Sequence, residues 1–217
     1  MEPLTIAAMV GAGVVALGTR WFVGRYASYG TGLEQLRKAT TRPIAEVTKD
    51  GRRVKVAGNV TLVGEPLSSP FGQRACAAYR VRLIALEEHG PRKLADETRH
   101  VSFRVEDDTG VARVETSSIR LVLSPARVLT QEGGGHLDPE LRVFLREHGL
   151  RGSMGERVVV EQAVVLPGAE LAVLGVSQIV VDPSRSGRSY REPARELRLE
   201  DLRDGPVIVG TAEPSEG

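Results

Sequence analysis

The chain has 217 residues, 41% of them apolar and 26% charged, which is enough for one domain with a core and too apolar for wholesale disorder. Aromatics make up only 4%, so a core must come from Val, Leu, Ile and Ala, a mix that favours strands. Net charge is +1, and with Arg20, Arg25 and Glu2 set aside 27 basic and 27 acidic residues remain, a balance that speaks against nucleic acid as a partner.

Residues 4–19, LTIAAMVGAGVVALGT, carry no charge, and Trp21, Phe22 and Val23 follow Arg20. With Arg20 snorkelling to the headgroups, residues 3–23 span roughly 30 Å as a helix, about one hydrocarbon core. Trp21, Tyr26 and Tyr29 stand where an interfacial aromatic belt is expected, and Arg20, Arg25, Arg37 and Lys38 follow the run while only Glu2 precedes it. The pattern predicts a single-pass membrane helix over residues 3–24, anchored in the lipid bilayer, with the following domain cytoplasmic. A cleaved signal peptide would want a positive start, and a buried core helix, apolar all round, would be an odd way to begin a domain at residue 4. Small residues at helical spacing (Ala8, Ala12, Ala16) leave a homo-oligomer open. The single cysteine, Cys76, fits a reducing compartment.

Residues 25–49 read as a juxtamembrane helix and linker, with a short amphipathic helix within 31–48 that stops before Pro43. Beyond the Asp50-Gly51 turn, residues 54–63 are a Val-rich strand interrupted by Gly58, and 76–89 alternate as a half-buried strand. Residues 99–116 give the clearest hairpin, alternating through Val101, Phe103 and Val105 and turning at Asp107-Asp108-Thr109-Gly110. Asp138-Pro139 opens a helix that ends at Gly149. Residues 157–181 read as a second strand pair, turned at Pro167-Gly168. The polar stretch 183–193 reads as a long loop, 207–210 as a last strand, and the end as a frayed tail. The expected fold is mainly β: a small OB-like or other closed β-barrel over residues 50–182 with one or two short helices, preceded by the membrane helix and followed by a polar segment, 183–217.

No complete catalytic site emerges. Cys76 reads as a small strand cysteine, since a nucleophile needs a basic partner and a depressed pKa. His89, His100, His136 and His148 have no ligand spacing; His89 and His100 flank what looks like one loop, and two ligands make a poor metal site. No metal or cofactor is expected. Residues 133–135 lack the Lys-Ser/Thr of a phosphate loop. Gly110 is expected to supply a positive φ after the three turn residues. The Arg-rich stretch 185–203 is matched by Glu192, Glu196, Glu200 and Asp201, as on a solvated mixed-charge face.

Three phrases fall in order behind the hydrophobic run: EPLSSPFGQRACAAYRVRL (65–83), VSFRVEDDTGVARVE (101–115) and VVVEQAVVLPGAELAVLGV (158–176). Together they resemble the GIDE, or BAM ("beside a membrane"), domain of membrane ubiquitin ligases. In those ligases a RING finger follows, holding two zinc ions with eight Cys/His ligands; this chain has one Cys and four His. The resemblance implies a non-catalytic accessory module that binds an unknown protein partner beside a membrane. Its interaction surfaces are expected at the SPF turn (Ser69, Pro70, Phe71, Gly72) and the acidic hairpin (Glu106, Asp107, Asp108, Gly110). Two alternatives stand beside it: a ubiquitin-ligase-like protein whose partner supplies catalysis, and OB-type nucleic-acid binding, which the neutral charge and few aromatics disfavour.

Overall fold

A computed structural model describes residues 31–132, 136–150, 157–186 and 193–212, with 181–186, 193 and 194 in backbone only. The expected membrane helix, residues 3–24, lies outside the described residues, as do 133–135 and the tail from 213. Among the described residues no helix is long and apolar enough to cross a membrane.

A helix, α1, occupies residues 31–38, and a single 3-10 turn follows at Ile44–Glu46. Thirteen strands come next: β1 (Arg53–Leu62), β2 (Leu67–Ser68), β3 (Ala75–Cys76), β4 (Ala78–Glu87), β5 (Gly90–His100), β6 (Phe103–Glu106), β7 (Val111–Val114), β8 (Ile119–Leu121), β9 (Ala126–Glu132), β10 (Arg157–Val165), β11 (Glu170–Ser186), β12 (Pro193–Glu200) and β13 (Val207–Thr211). Helix α2, Pro139–Glu147, lies between β9 and β10.

Five of these strands close a barrel in the ring order β1-β6-β7-β12-β11 and back to β1. Neighbours are antiparallel except β7 and β12, which run parallel. Strands β8 and β13 prolong β7 and β12, and they too pair in parallel. Alternation explains the interior. Val54, Val56 and Val60 of β1, Phe103 and Val105 of β6, and Ala112 and Val114 of β7 all point into one sealed cluster. Each Val and Phe among them contributes about 1.5–3 kcal/mol through burial, which is how a chain poor in aromatics still closes a core.

Gly58 sits where β1 passes closest to β6: a Cβ there would stand 2.3 Å from the Glu106 carbonyl oxygen. The glycine is required by close approach, and the ring closes through it.

The second sheet, β5-β4-β10-β9, is antiparallel throughout and grows from two excursions out of the barrel. One carries β2–β5 between β1 and β6; the other carries β9, α2 and β10 between β8 and β11. Helix α2 covers one face of this sheet, placing Leu141, Phe144 and Leu145 against Tyr79, Val81, Leu83, Val158 and Val160. Asp138 caps the helix start, its carboxylate accepting from the Glu140 and Leu141 N–H groups at 2.9 and 3.2 Å, and Pro139 fills the first position, where no N–H is needed. Gly149, at φ 64°, ends it.

Helix α1 lies on the outside of the barrel. Leu36 is buried with Val122, Ala172, Leu174, Leu202 and Ile208, and a Cβ at Gly210 would meet the Leu36 side chain at 2.6 Å. The barrel is thereby gripped at the first described element.

Several expectations need correction. The amphipathic helix does stop before Pro43, as expected, though already at residue 38, and Pro43 precedes the short 3-10 turn. Residues 90–100 form a strand, not a loop, which puts His89 and His100 at opposite ends of β5, on the order of 30 Å apart. The expected pair turned at Pro167-Gly168 is no hairpin ladder: β10 pairs with β4 and β9, whereas β11 pairs with β1, β12 and β13. Its turn is real, with Gly168 at φ 76°, and it carries the chain from one sheet to the other. The β domain also does not stop at 182. Strand β11 continues to Ser186, and β12 and β13 complete the barrel, because Leu197, Leu199, Val207 and Val209 enter its core.

Candidate functional site

The acidic hairpin joins β6 to β7, and its four tip residues play unlike parts. Asp107 turns inward along the loop. One carboxylate oxygen, Oδ1, accepts from the Thr109 and Gly110 N–H groups, both at 2.8 Å, and from the Thr109 hydroxyl at 2.6 Å. The other, Oδ2, accepts from the Ile44 N–H at 2.9 Å, and the Ala45 N–H donates to Thr109 Oγ1 at 3.1 Å. The hairpin tip thus clasps the 3-10 turn, 63 residues earlier in the chain. Burial pushes the Asp107 carboxyl up, but the Thr109 hydroxyl and the Ile44, Thr109 and Gly110 N–H groups together outweigh it and hold the carboxyl below the usual range. Asp108 and Glu106 are exposed and free of this clasp.

Gly110 does not adopt the positive φ expected of it. Its hydrogen faces Ile44, and a Cβ would stand 3.1 Å from Ile44 Cγ2. The requirement is space beneath the docked turn.

The SPF turn is fixed just as firmly. Ser69 and Phe71 are buried, Pro70 is half-buried and Gly72 is exposed at φ 81°. Phe71 packs on Phe144 of α2 with ring centroids 5.7 Å apart. The buried Gln162 amide of β10 accepts from the Phe71 N–H at 3.2 Å and donates to the Phe71 carbonyl at 2.9 Å. Glu140 of α2 accepts from the Gly72 N–H at 3.1 Å. The two expected surfaces are not brought together: the SPF turn belongs to the α2 sheet, the acidic hairpin to the barrel. What each offers to solvent is Gly72 with the flank of Pro70, and Glu106 with Asp108.

Cys76 is fully buried in β3, and burial pushes its thiol up while Arg74 pulls weakly the other way. A protonated thiol in that cluster is a packing group. His148 closes α2: its ring stacks on Phe144 with centroids 4.0 Å apart, Nδ1 lies 2.8 Å from the Phe144 carbonyl, and Nε2 lies 3.4 Å from Glu97. His136 lies 3.2 Å from the Arg142 guanidinium. Among the described residues no three His, Cys, Asp or Glu side chains gather as a metal site would require. Arg198, from the Arg-rich stretch, forms a ladder on the outer face of the barrel, bridging Glu115 at 3.2 Å and Glu196 at 3.3 Å.

One feature escaped the sequence reading. The N-terminal half of β1 has β11 on one edge, and on the other, where β6 has not yet begun, Thr41 and Arg42 lie along it. Arg42 N–H donates to the Lys55 carbonyl at 2.9 Å. Beside this crossing opens a cleft of about 440 Å³ lined by Gln35, Lys38, Arg42, Arg53 and Lys55 among others, with no carboxylate in its walls. The signal was present: residues 37–55 hold seven basic and two acidic side chains in an otherwise balanced chain. It was hidden because those cations are split between a helix end, a linker and a strand that only folding joins.

Comparison with protein-family models, with curated proteins and with solved structures finds no match for this chain.

Proposed function

We propose that the chain is a membrane-tethered, non-catalytic binding module of the GIDE/BAM type, its domain held on the cytoplasmic side to capture a partner protein. The observation that carries the reading is the seating of α1. The apolar run of residues 4–19 leads in sequence to a helix whose Leu36 is locked onto the barrel, so a bilayer anchor would hold the domain through a packed seam rather than a slack linker. The ring order of the barrel supports the OB-like reading of its fold: numbered along the chain, the five strands close as first, second, third, fifth, fourth. The polar groups that drew attention in the sequence serve packing. Asp107 ties the hairpin tip to the 3-10 turn, Ser69 ties its own turn, and His148 stacks on Phe144 at the end of α2.

The exposed pair Glu106 and Asp108, presented on a clasped and therefore rigid tip, is the surface offered for the partner. Rigid presentation lowers the ordering cost of binding. Nucleic-acid binding gains less support, because Arg104 and Arg113 on the barrel exterior are already met by Glu196 and Glu115.

The test is capture by the detergent-solubilised full chain. A protein should co-purify with the wild type and be lost from Glu106→Ala/Asp108→Ala while the melting temperature stays unchanged. Retention of every co-purifying protein by that variant would contradict the hairpin as the surface. A ubiquitin-ligase domain among the proteins lost would favour the reading in which a partner supplies catalysis.

A further inference from the structure

Lys55 is the least expected side chain of the domain. It stands on β1 between Val54 and Val56, which point into the barrel, so it points outward, under the chain that crosses at residues 41 and 42. It is only 6% exposed, a degree of burial that lysine reaches almost nowhere without a paired charge. Yet among the described residues its ammonium has neither an ion-pair nor a hydrogen-bond partner, and it is not among the polar atoms sealed from solvent. Lys55 lines the cleft beside that crossing.

The same cleft is walled by Lys38, Arg42 and Arg53, all exposed, with Gln35 holding the Arg53 guanidinium at 3.0 Å. A second hollow of about 340 Å³ shares Arg42 and Arg53 and adds Lys49 and Arg52, with Glu46 as its one carboxylate. Glu34 pairs with Lys38 at 3.9 Å, with both side chains largely in water. Four cations line one concave surface whose walls hold no acid, and of the four only Lys38 has an ion pair among the described residues, with Glu34. The Lys55 stem is buried while its ammonium reaches solvent at the cleft, where an incoming anion would find it unpaired, and guanidinium groups match the oxygens of phosphate in pairs.

We propose that this cleft is a binding site for a phosphate group, with Lys55 at its floor and Arg42, Arg53 and Lys38 at its rim. Phosphate is favoured over a lone carboxylate because four convergent cations exceed what one negative charge can satisfy. The chemistry is shared by two sources, the headgroup of an anionic lipid and a soluble phosphorylated compound. The site itself does not depend on the membrane reading above, since its cations are gathered by the barrel and α1.

The experiment reads lysine reactivity in the full-length chain, by mass spectrometry after brief treatment with an acylating reagent. In detergent the probe is inorganic pyrophosphate; after reconstitution it is phosphatidate in phosphatidylcholine vesicles, against phosphatidylcholine alone. Either probe should slow acylation of Lys38 and Lys55 at least fivefold and leave Lys93, on β5, unchanged. Arg42→Gln/Arg53→Gln should abolish that protection while the Arg157→Gln control keeps it, and melting curves verify that each variant is folded. Protection by pyrophosphate assigns the site to soluble phosphates, protection by phosphatidate alone to lipid headgroups. No protection by either probe, or protection that survives the double variant, overturns the proposal.

Discussion

At Asp107 one carboxylate receives hydrogen bonds from two segments, the hairpin tip and the 3-10 turn at residue 44, while the adjacent Asp108 faces solvent. Asp107→Ala strands the Ile44 N–H and unties the tip, and should cost about 1–3 kcal/mol; Asp108→Ala should fall within about 0.5 kcal/mol of wild type. Denaturant titration of both variants checks the contrast, and equal losses would contradict the clasp. The Asp107 carboxyl is held below its unfolded value of about 3.9, so its contribution is fully present above that value and is lost as pH falls through the lower, folded one. The stability gap between wild type and Asp107→Asn should therefore be flat above about pH 5 and narrow below about pH 4. In the sequence the four residues spell only a turn. That one aspartate ties the turn to a segment 63 residues away is a fact of folding, which is why Asp107 and Asp108 looked alike and why Gly110 looked like a φ requirement.

Among the elements, period-two alternation makes β4 and β6 readable, through Tyr79, Val81 and Leu83 and through Phe103 and Val105, and the Val-rich run makes β1 readable. The strand expected over 54–63 pairs directly with β11, the second half of the pair expected over 157–181. Strand β5 was illegible for the opposite reason. As an edge strand it buries little, and its Arg, Lys, Asp and Glu side chains serve cross-strand pairs such as Arg80–Asp96 at 2.8 Å. Strand β12 does alternate, through Leu197 and Leu199, but the charges between them read as a solvated face. Alternation also names no partner, so 157–181 looked like a hairpin although its halves serve different sheets. Gly58 is where element chemistry decides closure. Gly58→Ala drives a methyl into the Glu106 carbonyl, backbone that cannot swing away as a side chain would, and should cost more than the roughly 1–3 kcal/mol of ordinary overpacking. Chemical denaturation measures it; a loss under about 1 kcal/mol would show that β1 and β6 do not approach as described.

Across the whole molecule, the two excursions that build the α2 sheet bring together stretches far apart in sequence. Residues 65–83 and 158–176 meet in β4 and β10, whereas 101–115 supplies the barrel hairpin. The candidate site was legible in part: the sequence pointed to both turns, but could not tell which of their side chains pack inward, nor gather the cations around Lys55. The central claim is that this gripped barrel is tethered to a bilayer through residues 3–23. Extraction of membranes from expressing cells with alkaline carbonate tests it most directly, since only an integral segment resists it. The full-length chain should remain in the pellet, and deletion of residues 1–24 should release the domain to the supernatant; full-length protein in the supernatant would contradict the account.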